Sequence, residues 1–164
     1  MAAKRPPALD RIDIKILAAL QAGGRMTIKE LAETVGLSAR PCLERVRRLE
    51  GAGIISGYQA VIDLTRLGRP VTVFSEITLE KHGHQEDFER HLKAIEEAVE
   101  SWEVTGASDY LVRFVCADLA RYESLTTALI DNSALGVARI VSHIALRAVR
   151  PFSGYPALLL RPQG

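Results

Sequence analysis

The 164-residue sequence has few cysteines, no long apolar run and almost no net charge. Its two cysteines, Cys42 and Cys116, lie far apart in apolar patterns, which predicts buried thiols rather than a disulfide framework. No apolar stretch reaches the roughly 20 residues of a membrane helix, and the basic N-terminus lacks the apolar core of a secretion signal. We therefore expect a cytoplasmic protein. A composition of 48% hydrophobic and 25% charged residues is globular and excludes general disorder.

The net charge of +1 hides a difference between the two parts of the chain. Residues 1–62 carry ten basic and six acidic residues, whereas residues 63–164 carry eleven basic and fourteen acidic residues. A basic first part next to a mildly acidic second part predicts that only the first part meets a polyanion.

Helical periodicity and capping residues predict three helices in the first part. The first helix begins after Asp10. Thr27 and Glu30 form the capping-box pattern of a second helix, which is short because Gly36 ends it. Ser38 is the expected N-cap of a third helix.

The third helix, which we expect to end at Gly53, has a basic outer face. Its inward stripe is predicted to contain Cys42, Val46 and Leu49, while the opposite face carries Arg40, Glu44 and Arg47, flanked by Arg45 and Arg48. A short helix, a tight turn and a basic helix are typical of a helix-turn-helix that places its second helix in the major groove of DNA. The arginines alone fit a solvated surface helix equally well. A two-stranded wing predicted over residues 54–62 and the capped helix before the turn favour DNA binding.

The second part alternates between strand and helix patterns in the order β-α-β-β-α-β. A strand is expected from Val71, a helix from about Gln85 to Glu100, and a short strand around Trp102. A turn at residues 106–108 leads to a further strand, a helix over residues 119–131 and a last strand. This order predicts the ferredoxin-like split motif, a four-stranded antiparallel sheet with both helices on one face. The fold class is therefore α+β.

The other face of the predicted sheet has no covering helix. It carries basic side chains among apolar ones: Arg113, Arg139, His143 and Arg147 with Leu111, Val115 and Val141. A half-apolar open sheet is a liability in a monomer, so we expect a second copy of the chain to cover it. Residues 152–160 are a candidate for an additional short strand. The histidines and cysteines lack a metal-ligand spacing, and no cofactor is expected.

Three segments resemble the leucine-responsive regulatory protein/AsnC (Lrp/AsnC, feast/famine) family: LDRIDIKILAALQAGGRMTIKELAETVGLSARPCLERVRRLEGAGII, GASDYLVRF with its following helix, and SHIALRAVR. The resemblance covers roughly residues 9–150. It implies a non-enzymatic transcriptional regulator that binds double-stranded DNA through a winged helix-turn-helix domain at residues 1–62. After a linker at residues 63–70, a ferredoxin-like domain at residues 71–164 would bind the effector and form homodimers, which assemble further into tetramers or octamers.

The resemblance also guides the choice of candidate site residues. We expect the DNA contacts to come from Thr27, Ser38, Ala39, Arg40, Pro41, Glu44, Arg45, Arg47 and Arg48. An amino acid or related metabolite is expected between modules, near Thr105, Gly106, Ala107, Ser108, Asp109, Tyr110, Ser142, His143 and Ile144. Without the resemblance, Gly106 and Asp109 indicate only a turn; with it, Asp109 and the backbone N–H groups match the charges of a zwitterion.

An enzymatic alternative has the same architecture. Sirohaem decarboxylases look like the same pair of modules, and His143 or Arg113 on the open sheet would then serve propionate chemistry. The basic outward helix favours DNA over this alternative.

Overall fold

The computed structural model describes residues 8–68, 70–80, 82–156 and 159. Contacts divide the chain into two units. The helical unit contains the residues up to Val61 together with those from Arg150 onward, and the sheet unit is Ile62–Val149. No helix in the described ranges is both long and apolar enough to cross a membrane.

The described part of the helical unit contains the three predicted helices, α1 (Arg11–Ala22), α2 (Ile28–Val35) and α3 (Ala39–Gly51). Helix α2 has the predicted capping box, in which Thr27 Oγ1 accepts from Glu30 N at 3.2 Å and Glu30 Oε2 accepts from Thr27 N at 2.7 Å. These mutual bonds satisfy two backbone donors that the helix itself leaves free. The buried apolar side chains that join the helices are Ile16, Leu17, Leu31, Ala32, Val35, Cys42, Val46 and Leu49.

The predicted wing is wrong in this chain. No strand is present in residues 54–62, all of which the structure describes. Ile54 N donates to Leu49 O at 2.9 Å, which closes the end of α3, and Ile54 and Ile55 pack partly against the helical core. The later apolar residue Val61 is 96% exposed. The apolar residues that were predicted to form two strands therefore belong to two different places: the first ones close the end of α3, and the later ones lie in an exposed segment without strand pairing.

The sheet unit has the predicted ferredoxin-like topology. Its elements are β1 (Val71–Leu79), α4 (Gln85–Leu92), β2 (Ala98–Glu103), β3 (Tyr110–Cys116), α5 (Leu119–Asp131) and β4 (Val137–Ile144). The strand order is β2-β3-β1-β4 with all neighbours antiparallel. Phe88 of α4 and Leu129 of α5 pack with Val73, Val112 and Phe114 in one core, so both helices cover the same face.

Helix α4 is shorter than predicted. It ends at Leu92 rather than near Glu100, because the chain from Ala98 onward pairs with β3. Ile95 packs against the core from the turn that follows α4. The spacing of Leu92, Ile95 and Val99 fits a helix, but the backbone bonds of a sheet edge determine the conformation beyond residue 97.

The segments before and after the sheet differ from the predicted domain limits. The expected linker at residues 63–70 contains a short 3-10 turn, Leu64–Arg66, capped by Asp63. In the tail, Tyr155 N donates to Gln21 Oε1 at 2.6 Å, and Gln21 Nε2 donates to Tyr155 O at 3.4 Å. The described tail residues therefore group with α1 rather than with the sheet. The expected strand is absent at residues 152–156, and its remaining part falls largely outside the described residues.

Tyr110 belongs to the core of the sheet unit. It is 3% exposed, its ring centroid lies 4.9 Å from that of Phe88, and its hydroxyl donates to Glu89 Oε1 at 3.2 Å. Burial, followed by the bond to the Glu89 carboxylate, raises the pKa of Tyr110 from 10.0 to about 12. The folded state therefore favours the neutral phenol.

We predict that this raised pKa makes the protein less stable between pH 10 and pH 12. The unfolded phenol ionises near pH 10, whereas the folded one keeps its proton up to about pH 12. The contribution to the free energy of unfolding, about 2–3 kcal/mol, is complete below pH 10 and is lost as the pH rises toward 12. Urea unfolding at several pH values in this window measures how steeply the free energy of unfolding falls with pH. For Tyr110→Phe this fall should be shallower, by the amount that one proton contributes.

The matched control for this experiment is Tyr155→Phe, because Tyr155 is 64% exposed. In this variant the free energy of unfolding should fall with pH as steeply as in the wild-type protein. An equally steep fall in the wild-type protein and in Tyr110→Phe would show that the buried phenol is not responsible for the pH dependence.

Candidate functional site

The outer face of α3 presents two exposed arginines. Arg40 and Arg47 are seven residues apart, which places them about two turns from each other on one face. The Arg40 side chain is 91% exposed, and its Nε lies 3.3 Å from Oε1 of the exposed Glu44. Arg47 is also exposed. Both guanidinium groups are therefore accessible from outside the helical unit.

The first turn of α3 adds accessible polar groups. Ser38 has the extended backbone of an N-cap, but its hydroxyl makes no capping bond, which differs from the predicted side-chain cap. Ala39 and Pro41 are exposed beside it. Backbone N–H groups at the beginning of a helix suit phosphate oxygens. The Thr27 hydroxyl, by contrast, is occupied by Glu30 in the capping box of α2.

Arg45 and Arg48 point toward α1 rather than outward. Arg45 Nη1 lies 2.6 Å from Asp10 Oδ2 and 2.9 Å from Asp13 Oδ1, and Arg48 Nη2 lies 2.5 Å from Asp13 Oδ2. Asp13 is fully buried. The pKa of Asp10 is lowered, first by the Asp13 N–H and then by Arg45, while Asp10 raises the pKa of Arg45. These two arginines are therefore tied within the helical unit.

The sequence contained a signal for these ion pairs that the charge pattern of α3 alone did not show. Asp13 lies on the buried stripe of α1 with Ile16 and Leu17. On α3, Arg45 borders the stripe of Cys42 and Leu49. Opposite charges next to the apolar stripes of two helices indicate a buried pair between them.

The loop between β2 and β3 contains most of the candidate effector residues. Asp109 ties this loop to β1, because its Oδ2 accepts from Leu79 N at 2.8 Å and its N–H donates to Ile77 O at 2.9 Å. Gly106 has a φ of 126°, a backbone conformation that residues other than glycine rarely adopt. Thr105 and Ala107 are exposed, and Ser108 is half-buried. Tyr110 is in the core and does not face this loop surface.

The candidate residues of β4 lie on two different faces. Ser142 Oγ lies 2.5 Å from the hydroxyl of Tyr122, which lies 2.7 Å from Oγ of the buried Ser75, so these groups bond to each other beneath α5. Ile144 is on the same face as Ser142 and is 48% exposed. His143 faces the open side of the sheet. Ser142 and His143 therefore do not form one surface.

The strand register separates the loop from His143 within one chain. Asp109 contacts β1 at Ile77. His143 lies on β4, on the other side of β1, where it is aligned with Phe74 of β1. Three residues along a strand correspond to about 10 Å. The two groups of candidate effector residues thus remain apart in a single sheet unit.

The open sheet face combines apolar residues with paired charges. Trp102 is 46% exposed and is aligned with Leu111. Arg113 Nε lies 3.0 Å from Glu100 Oε2, with an orientation that does not make a hydrogen bond, and His143 Nε2 lies 3.2 Å from Glu76 Oε1. The two residues proposed for the enzymatic alternative are thus paired with carboxylates. Arg139 and Arg147 are exposed.

Comparison with known proteins gives a consistent match over both units. The AsnC-type helix-turn-helix domain matches residues 9–50, and the Lrp/AsnC ligand binding domain matches residues 72–154. The leucine-responsive regulatory protein of Haemophilus influenzae is 45% identical over 127 residues, 76% of each chain. The Bkd operon transcriptional regulator of Pseudomonas aeruginosa is 41% identical over 150 residues, covering 90% of this chain and 97% of its own length.

Solved structures agree with these relatives. An AsnC family transcriptional regulator from Agrobacterium tumefaciens aligns with a TM-score of 0.85 at 29% identity, covering 93% of this chain and 99% of its own. A transcriptional regulator from Neisseria meningitidis, solved in complex with L-methionine, aligns with a TM-score of 0.85 at 31% identity and the same coverage. The chain therefore belongs to the Lrp/AsnC family of transcriptional regulators, with an AsnC-type helix-turn-helix domain followed by an Lrp/AsnC ligand binding domain.

Proposed function

We propose that this regulator reads DNA with the outer face of α3, and that Ser38, Arg40 and Arg47 make the principal contacts. The observation that carries this proposal is the exposure of Arg40 and Arg47 on one face of the helix. An arginine fork can bond two acceptors on a guanine edge, and the first turn of α3 can meet a phosphate. Glu44 lies next to Arg40, where its carboxylate is able to accept from a cytosine amino group.

We predict that Arg47→Ala weakens binding to a duplex that the wild-type protein selects from a random-sequence pool. Loss of a specific base contact should cost about 1–3 kcal/mol, a decrease of roughly tenfold or more in affinity. Fluorescence anisotropy at a fixed salt concentration measures the affinity for this duplex. Arg90→Ala is the matched control, because Arg90 is an exposed arginine of the sheet unit that pairs with Asp87. The same affinity for Arg47→Ala and wild type would remove Arg47 from the interface.

We further propose that an amino acid binds at the loop of residues 105–109 and that a second chain completes the site. Asp109 supplies a half-buried carboxylate for the ammonium group, and the exposed loop backbone offers N–H groups to the carboxylate. The candidate residues Ser142, His143 and Ile144 lie several residues along β4 from the strand positions that the loop contacts, which favours a contribution from a partner. Regulators from Neisseria meningitidis and Mycobacterium tuberculosis, solved with L-methionine, support an amino acid as ligand.

We predict that Asp109→Asn lowers the affinity for L-methionine or L-leucine by about tenfold or more, because a charged hydrogen bond to the ammonium group is lost. The amide oxygen of asparagine still accepts from Leu79 N, so the loop keeps its attachment to β1. Isothermal titration calorimetry measures the affinity. Asp131→Asn, at the exposed end of α5, is the control with the same change of charge. Unchanged affinity in Asp109→Asn would exclude its carboxylate from the site.

The open sheet face is proposed as the dimer surface. Trp102 and Leu111 supply apolar area, and the pairs Arg113–Glu100 and His143–Glu76 reduce the cost of covering charged groups. Further assembly of dimers into tetramers or octamers follows the family resemblance. A DNA-binding regulator with two free buried cysteines also fits the reducing cytoplasm.

We predict that Leu111→Arg converts the dimer into a monomer, because it places a charge in the centre of the open face. Leu111 lies half-buried on the face that no helix covers, so the longer charged side chain can extend into solvent and the fold is retained. Sedimentation velocity measures the mass. Ile130→Arg changes a 51% exposed residue on α5 in the same way and should remain dimeric. A dimer in Leu111→Arg would place the interface elsewhere.

A further inference from the structure

The carboxylate of Asp13 is the most thoroughly bonded charged group of the described helical unit. It is fully buried, and it accepts from Arg45 Nη1 at 2.9 Å, from Arg48 Nη2 at 2.5 Å and from Asp10 N at 3.0 Å. Arg45 is held a second time, by Asp10 Oδ2 at 2.6 Å. A buried carboxylate is tolerated only with such partners, so α1 and α3 are joined by charge as well as by apolar contact.

The two arginines that Asp13 holds lie close to the proposed DNA surface. Arg48 directly follows Arg47, and its side chain remains 47% exposed. A guanidinium group at the edge of a recognition helix binds phosphates of any sequence when it is free to reach them. Such contacts strengthen binding to every duplex alike, and they lower the affinity ratio of a specific site to other DNA when they let α3 bind in orientations that do not present Arg40 and Arg47 to base edges.

We propose that Asp13 is a specificity-determining positioning residue, which holds Arg45 and Arg48 against α1 and leaves Arg40 and Arg47 to read DNA. Asp13 itself does not contact DNA in this arrangement. It acts by fixing α3 on α1 and by keeping two arginines from sequence-independent phosphate contacts. The inference rests on the proposed DNA surface of α3.

The experiment compares affinity for two duplexes, the one selected by the wild-type protein and a scrambled duplex of the same composition, over a series of salt concentrations. Asp13→Asn should reduce the affinity ratio of selected to scrambled DNA by about tenfold or more. On the scrambled duplex, the slope of log affinity against log salt should become steeper by about one, because Arg48 gains a phosphate contact while Asp10 still holds Arg45. An unchanged ratio and slope would overturn the proposal.

Glu33→Gln is the matched control. Glu33 is an exposed residue of α2, so this variant makes the same change of charge in the same unit without affecting the buried carboxylate. It should change the affinity for both duplexes by the same factor and leave their ratio at the wild-type value. A ratio as low as that of Asp13→Asn would assign the effect to net charge and overturn the proposal.

A second variant keeps the test decisive if Asp13→Asn does not fold. In Arg48→Gln, Asp13 retains Arg45 as a partner, and the proposal predicts an unchanged salt slope on the scrambled duplex. A decrease of about one in that slope would show that Arg48 binds phosphate in the wild-type protein and would overturn the proposal. Failure of the wild-type protein to distinguish the duplexes would instead contradict the proposed DNA surface itself.

Discussion

A buried negative charge constrains the geometry of the helical unit. Placing the Asp13 carboxylate out of water would cost several kcal/mol without partners, so the packing of α1 on α3 has to bring donors to it. Arg45 and Arg48 meet this need, one turn apart on the flank of α3. The two directed ion pairs add to the apolar contacts of Cys42, Val46 and Leu49 in holding α3 in one orientation on the helical core. That orientation turns Arg40 and Arg47 away from the core.

In the sheet unit, several polar side chains on each face of the sheet lie beside a polar partner. Beneath the helices, Ser75 is fully buried, and its hydroxyl bonds to that of Tyr122, which also contacts Ser142. On the open side, Arg113 and His143 each lie beside a carboxylate of a neighbouring strand. Arg113 Nε makes no hydrogen bond and Arg139 on the same face is exposed, so a surface that covers this face has to offer hydrogen-bond acceptors as well as apolar area.

The elements that could be predicted from the sequence are those fixed by local signals. Capping patterns such as Thr27 with Glu30, and strict alternation along β1, led to correct helices and strands because neighbouring residues determine them. The end of α4 was predicted too late, since Ile95 and Val99 suit both a helix and the edge strand that pairing with β3 selects. The predicted wing failed because Val61 and its neighbours have no strand to pair with in the described chain.

The roles of single charged side chains were harder to predict than the elements that carry them. Arg45 and Arg48 were expected among the DNA contacts from the basic face of α3 and the family resemblance, whereas their partner Asp13 is more than thirty residues away in the sequence. Ser142 and His143 were grouped by the family resemblance, and because adjacent residues of a strand point to opposite faces, they do not share one surface of this chain. Local patterns give a residue's position in an element, but only the folded chain shows which distant group satisfies its charge or hydroxyl.

The separation of the loop at residues 105–109 from His143 has a thermodynamic consequence for the proposed effector site. A ligand that contacts both groups has to bridge two chains, so it binds the assembled protein more tightly than the isolated chain. Binding and assembly are then linked, and each must favour the other by the same factor. Because each chain that assembles carries a helix-turn-helix domain, an amino acid bound at the proposed site can change how many half-sites are engaged at once without contacting DNA.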